Sequence, residues 1–446
     1  MLDQALQNVS VIGAAGKMGS GIALLLLQEM ARLEVEKNPS GKIPEFQLNL
    51  VDRDQEMLKG LFTYLKAQLI RYAEKNIVPL RSYFKDRGDL IDNGEITDEF
   101  VNRALLAVHA TTDIVCASES KMVFEAIFEK LEIKKELLTK LKDICPSDTC
   151  FYTNTSSIPI SVIEESAGVE GRLIGYHFYN PPAVQKLVEI IASKSTTEEL
   201  KSISVELGKR LRKVLVPSKD IAGFIGNGHF IRDGLFGIRQ METLAQSTSI
   251  PEAIYMINCV SHDFMIRPMG VFQLIDYVGL DVFQMILETM DRYIGDENLS
   301  SSFIQKMLKA EVAGGQYHDG SQKDGFLKYE KGRVVGVYDS DKKSYVEVTK
   351  DWVANCNSAL GDLPQAHYPW KVLSRDRNKD EKLKSYFGKL FEADGQGAQL
   401  ARAYLMNSRE ISQKLVSDGI AAKSDDVSQV LVNGFHHLYG PENSLF

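Results

Sequence analysis

The run VSVIGAAGKMGSGIA, from Val9 to Ala23, constrains the fold more than any other part of the chain. An apolar segment leads into three glycines, Gly13, Gly16 and Gly19, and then into small residues that open a helix. A strand that turns on glycines into a helix presents backbone N–H groups at the positive end of the helix dipole, with no Cβ in the way. That is the physical requirement for holding a pyrophosphate. The spacing is G-x-x-G-x-x-G, one residue longer than the usual dinucleotide fingerprint. Taken alone, the turn is compatible with a nicotinamide site, with another phosphate-binding turn, or with a tight corner that binds nothing.

The residues after the turn favour a dinucleotide. Gly21 to Val35 reads as a helix rich in Ala and Leu, NPSGKIPE breaks it, and FQLNLVDRD reads as a second strand ending in acid. Asp52 sits at that strand end, where a carboxylate accepts ribose hydroxyls and repels a 2'-phosphate. Arg53 beside it leaves the choice of nicotinamide dinucleotide open. Asp52 comes 39 positions after Gly13, against about 20 in the usual motif, so EVEKNPSGKIPE reads as an insertion. From Gln55 to about Val108 the pattern is helical and charged, interrupted near NIVPL and DNGEIT. Short β-type segments then alternate with helices (ATTDIV, MVFEAIF, CFYTNTSS, LIGYHFYN, LVEIIAS), which implies a mostly parallel sheet covered on both faces. This domain is expected to close near residue 216.

Beyond VPSKD the chain turns helical, from Gly223 to about Ala313. GGQYHDGSQKDG reads as a loop, GFLKYEKGRVVGVYD as a hairpin-like connector, and residues 346 to 446 as helical again. The stretch from Ala401 to Pro441 repeats the order of the one from Gly228 to Gly270: helix, small-residue turn, a Ser-plus-acid helix start, helix, aromatic-rich end. The expected architecture is therefore α/β: a Rossmann-type domain over 1–216 with a helical hairpin insertion, an all-α domain over 217–330, and a degenerate second helical copy over 346–446.

Composition excludes several classes. A net charge of -8 argues against broad nucleic-acid binding. The longest wholly apolar run, IALLLL, is far too short for a membrane span. Five scattered cysteines with no C-x-x-C pair fit a reducing compartment better than a disulfide framework, and no metal-ligating spacing occurs. Neither MLDQALQN nor NSLF reads as an address signal, so a cytoplasmic location is the expectation.

Three further stretches hold residues suited to chemistry. In GYHFYNPPAVQKLVEI, His177 falls at a strand end and Glu189 twelve residues later, beyond a Pro181-Pro182 corner that reverses the chain. A return strand would bring the carboxylate to the imidazole, fixing its tautomer and leaving the other nitrogen as a base. A satisfied structural histidine is the competing reading. In TNTSSIPIS, Asn154, Thr155, Ser156 and Ser157 follow a strand, and a helix cap or Ser/Thr turn explains them equally well. In KDIAGFIGNGHF, Asn227 lies among glycines that allow close helix packing.

These stretches, with VFEAIFEKLEIKKELL and RPMGVFQLIDYVGLDV, occur in the order and nearly the spacing found in 3-hydroxyacyl-CoA dehydrogenases. The chain resembles that family from Val9 to about Tyr338. The resemblance implies an NAD-dependent enzyme acting on an acyl-CoA thioester. It makes His177 the base and Glu189 its partner, with Ser156 and Asn227 holding the substrate oxygen or thioester. It implies cofactor contacts from Gly13, Ala15, Gly16, Lys17, Met18, Gly19, Asp52, Glu129, Lys134, Asn154 and Asn180. Lys75, on the helical insertion, takes the place of a basic contact to the CoA nucleotide. Ala222 and Gly228 stand where relatives carry proline and arginine. Single-copy relatives are homodimers through their helical domains, so the second copy is expected to play the partner's part, reducing the need for a dimer. A dehydrogenase of a non-CoA hydroxy or sugar acid on the same scaffold, and a non-catalytic NAD-binding protein, are the alternatives.

Overall fold

The computed structural model describes residues 1–41, 43–295, 297–317 and 320–446. His318 and Asp319, in the expected GGQYHDGSQKDG loop, and Lys42, in the insertion, lie outside them. The chain divides into two compact units, Met1–Asp220 and Ile221–Phe446.

The first unit is built on eight strands: β1 Asn8–Ile12, β2 Gln47–Val51, β3 Val108–Thr111, β4 Met122–Glu125, β5 Cys150–Thr153, β6 Leu173–Phe178, β7 Leu187–Ile191 and β8 Val214–Ser218. They lie in the order β3-β2-β1-β4-β5-β6-β7-β8. Every neighbouring pair is parallel except β6 and β7. The six-strand part has the arrangement of doubly wound dinucleotide-binding sheets, whose ligands sit outside the carboxyl ends of the strands.

Side-chain alternation assigns the two faces of this sheet different jobs. Phe124, Tyr152, Tyr176 and Phe178 point to one face and form an aromatic stack, with Phe124 and Tyr152 rings 4.5 Å apart and Tyr152 and Tyr176 5.6 Å apart. Their neighbours of opposite parity, Glu125, Thr153 and His177, point to the other. The apolar face anchors the strands so that the polar face can hold buried charges.

β8 ends the sheet as an edge strand, the position in which Pro217 costs no ladder hydrogen bond on its open side. A boundary at 216 falls inside this strand, and the unit continues to Asp220. The insertion is a three-helix segment, Gln55–Lys75, Ile77–Tyr83 and Asn93–Leu106. The preceding loop is tied to it by Arg87 and Arg103, whose guanidinium groups donate to the carbonyls of Pro39 and Asn38.

The second unit is helical around one continuous core. Phe230, Ile231, Phe272 and Phe283 from the first helical stretch pack in the same cluster as Tyr386, Phe387, Tyr404 and Tyr439 from the last. Residues 221–326 and 348–446 thus share a core within one compact unit, so the expected all-α domain begins after Asp220 and stops short of residue 330. Between them stands an antiparallel sheet in the order β11-β10-β9, formed by β9 Leu327–Glu330, β10 Arg333–Asp339 and β11 Ser344–Glu347. The hairpin-like connector accordingly carries a third strand. Helix Gln396–Ser417 packs along helix Gly226–Leu244. A Cβ on Gly228 would come within 3.0 Å of Leu415, so the neighbouring helix leaves little room for a side chain there.

Candidate active site

β1 delivers the glycine turn, and three backbone N–H groups seat it. Gly13 N and Ala14 N both donate to the Val51 carbonyl, at 2.8 and 3.1 Å. Ala15 N donates to Asp52 Oδ2 at 2.9 Å. The residue that lengthens the motif is therefore absorbed by the end of β2. Gly13 has φ +78°, and a Cβ there would lie 2.6 Å from the Ala126 carbonyl oxygen. A Cβ on Gly19 would meet the Gly13 carbonyl oxygen at 2.0 Å. Both positions are closed to any side chain.

The helix after the turn, Lys17–Lys37, has Gly16 at its N-cap and no side-chain cap, so the positive end of its dipole faces the turn. A cavity of about 760 Å³ opens beside the turn. Gly13, Gly16, Lys17, Met18 and Asp52 line its polar side; Ile114, Ile127, Phe128, Ile133 and Leu137 line its apolar side. An apolar slot for a base, a carboxylate at its rim and a helix amino terminus at its floor fit a dinucleotide in size and chemistry.

Glu125, at the end of β4, receives Lys134 Nζ on both oxygens at 2.8 and 2.9 Å and the Thr153 hydroxyl at 2.6 Å. Lys134 also pairs with Glu129 at 3.3 Å. Glu129 Oε1 in turn accepts from Thr155 Oγ1, Ser156 N and Ser157 N at 2.6, 2.8 and 3.0 Å. Burial opposes the charge on Lys134, but Glu125 and Glu129 outweigh it and raise its pKa. For Glu129, burial likewise opposes ionisation, and Lys134 and the loop donors overcome it. In this arrangement the lysine is only 1% exposed and serves the acids, which shape the loop carrying Ser156.

β6 and β7 form the antiparallel pair that the Pro-Pro corner suggested, with His177 opposite Glu189. His177 Nδ1 lies 3.2 Å from Glu189 Oε1, and both residues are buried. The Tyr179 hydroxyl donates to the same oxygen at 2.7 Å. Asn154 Oδ1 accepts from Phe178 N at 2.9 Å, tying the end of β5 to the histidine strand. The corner after β6 is braced twice. Lys213 Nζ donates to the carbonyls of Pro182 and Gln185 at 2.6 and 2.7 Å, with burial pulling its pKa down to about 8. Gly21, in the dinucleotide helix, packs so closely on Pro182 that a Cβ would come within 2.8 Å of the ring. Asn180 stands half-buried in this corner, its carbonyl accepting from Gln185 Nε2 at 3.4 Å.

The structure therefore groups the glycine turn, Asp52, Glu129, Lys134, Asn154, Ser156, His177, Asn180 and Glu189 at the carboxyl ends of β1, β2 and β4–β6 and on β7. Asn227 belongs to the second unit, in the first turn of helix Gly226–Leu244. Gly223 at φ +82° and the buried Phe224 at φ +51° form the turn ahead of it. Lys75 stands exposed in the last turn of helix Gln55–Lys75. The sequence alone did not single out Glu125, Tyr179 or Lys213. The parity of β4 was the available signal for Glu125, and the i+2 spacing from His177 was the signal for Tyr179.

Sheet order, glycine turn and histidine–carboxylate pair define a Rossmann-type dehydrogenase. The chain matches the 3-hydroxyacyl-CoA dehydrogenase NAD-binding domain over residues 8–221 and the C-terminal domain of the same enzymes over 255–329. It is 30% identical over 323 residues to a probable 3-hydroxybutyryl-CoA dehydrogenase of Deinococcus radiodurans, spanning 72% of this chain and 99% of that one. It is 30% identical over 283 residues to the human mitochondrial hydroxyacyl-coenzyme A dehydrogenase, spanning 63% and 79%. The crystal structure of the Escherichia coli K12 3-hydroxybutyryl-CoA dehydrogenase covers 98% of this chain and 90% of its own, with a TM-score of 0.64 at 24% identity. The chain belongs to the 3-hydroxyacyl-CoA dehydrogenase family and is an NAD-dependent enzyme of that kind. Among the described residues no helix is long and apolar enough to cross a membrane, and no cluster of three His, Cys, Asp or Glu could hold a metal.

Proposed function

We propose that the protein oxidises the hydroxyl of a (3S)-3-hydroxyacyl-CoA to a 3-oxoacyl-CoA, with His177 as general base. The observation that carries this reading is the buried His177–Glu189 pair on adjacent antiparallel strands. Glu189 holds Nδ1 and stabilises the imidazolium, so that Nε2 takes the proton of the 3-hydroxyl. NAD, when bound, supplies the acceptor for the C3 hydride. Gly13, Ala15, Gly16, Lys17, Met18, Gly19, Asp52, Asn154 and Asn180 would hold it. Ser156, on the loop shaped by Glu129 and Lys134, and Asn227 orient the substrate oxygen and thioester. Lys75 meets the nucleotide end of CoA. General base catalysis contributes roughly 10² to 10⁴ in rate, and positioning of C3 supplies the rest. The role is a step of fatty acid β-oxidation or short-chain acyl-CoA metabolism, in keeping with the name carried by the Deinococcus relative.

The second helical copy replaces a partner subunit in this reading. Two contacts support it. His229 Nε2 lies 2.9 Å from Ser408 Oγ, and the Tyr404 hydroxyl donates to the Asp233 carbonyl at 2.7 Å. Both contacts join helix Gly226–Leu244 to helix Gln396–Ser417, the pairing a partner's helix would make in an isologous dimer.

His177→Gln and Glu189→Gln test the chemistry. Each is expected to retain NAD binding and to lose most turnover of 3-hydroxyacyl-CoA. Near wild-type turnover in both variants contradicts the assigned roles.

A further inference from the structure

Glu189 shares one oxygen between two donors. Tyr179 OH takes the shorter bond to Oε1, 2.7 Å, and His177 Nδ1 the longer, 3.2 Å. The two rings also touch, with centroids 4.8 Å apart. Period-two alternation places Tyr179 on the same side of the chain as His177, one step beyond the strand end. We infer that Tyr179 is a positioning residue that tempers the Glu189 carboxylate and so weakens its hold on the protonated form of His177; this rests on the proposed role of His177.

The physical argument runs through the shared carboxylate. A hydrogen bond from a neutral hydroxyl draws negative charge toward itself and leaves less to stabilise an imidazolium at the same oxygen. Burial and the adjacent carboxylate both push the Tyr179 hydroxyl well above its ordinary pKa, so it remains a donor and the proton stays on tyrosine. Glu189, from β7, and Tyr179, from the connection leaving β6, both face the imidazole. The β5 side contributes the uncharged Asn154. Lys213 lies 6.0 Å from the ring of Phe178, on the opposite face of the sheet. Oxidation of an alcohol needs a neutral imidazole to accept the proton, whereas reduction of a ketone needs the imidazolium to donate one. By holding part of the Glu189 charge, Tyr179 favours oxidation.

Tyr179→Phe removes the hydroxyl and keeps the ring. Histidine-selective NMR titration of the free enzyme reads the outcome directly, with His177→Gln used to assign the His177 signal among the eight histidines of the chain. In Tyr179→Phe the His177 titration is expected to move up relative to the wild type. The acidic limb of kcat for 3-hydroxyacyl-CoA oxidation should move with it, with the KM for NAD unchanged and the alkaline plateau kept. A His177 titration that superimposes on the wild type, or moves down, overturns the inference. The NMR readout needs no turnover, so it stands even where His177→Gln shows that the proposed chemistry is wrong.

Discussion

At the residue scale, the site depends on charges whose cost of burial is met by close partners. Lys134 is the clearest case, since its ammonium sits between Glu125 and Glu129 with almost no exposure. Removing one member of a buried ion pair leaves an uncompensated charge and costs about 3 to 5 kcal/mol. Lys134→Met leaves two carboxylates facing each other and is expected to lower the stability of the first unit by that amount. Both tryptophans, Trp352 and Trp370, lie in the second unit, so hydrogen exchange of β4 and β5 amides is the measurement that checks it; unchanged protection contradicts the role given to Lys134. Residue identities at this scale were partly legible in the sequence. His177, Glu189 and Ser156 stand in local patterns that chemistry alone makes suggestive. Glu125 and Tyr179 were not legible, because each acts through a partner on a different strand and its role exists only once the register is known.

At the element scale, local signals and tertiary packing divide the credit. The glycine turn, the Pro-Pro corner and the alternation of strands and helices mark β1, β2 and β4–β7, because each depends on backbone geometry that its own residues dictate. β8 was used only as a boundary, since VLVPS contains a proline and owes its pairing to β7. β11 was absorbed into the following helical segment because SYVE is short and takes its pairing from β10. The seam between helices Gly226–Leu244 and Gln396–Ser417 holds a pH-dependent feature that no local pattern announces. Burial lowers the pKa of His229 to about 4, with Asp233 opposing and Arg267 and Arg232 adding to the effect. His437, also buried, is lowered well below its ordinary value. Between pH 6.5 and 4 the unfolded chain binds protons that the folded unit refuses, so stability falls with falling pH by up to about 3 kcal/mol from His229. Tryptophan fluorescence reports on this unit alone. Its melting temperature is expected to drop across that window in the wild type and to drop less in His229→Gln; equal slopes contradict the assignment.

At the scale of the whole molecule, the 446 residues divide between one NAD-binding unit and one helical unit. The helical character of the last hundred residues was legible, while the single core they share with the earlier helical stretch was not, because that core is a property of packing between segments far apart in sequence. If the last helical segment takes the place of a partner subunit, as proposed, the full chain is monomeric at micromolar concentration. Light scattering checks this directly, and an obligate dimer through helix Gly226–Leu244 contradicts it. The central claim concerns chemistry, and one assay bears on it most directly: reduction of NAD by the full chain in the presence of a chain-length series of (3S)-3-hydroxyacyl-CoA thioesters, with NADP and a free 3-hydroxy acid as controls. NADH formation with at least one thioester, weak activity with NADP and none with the free acid is the predicted result; oxidation of the free acid at an equal rate, or no NADH from any thioester, contradicts the assigned chemistry.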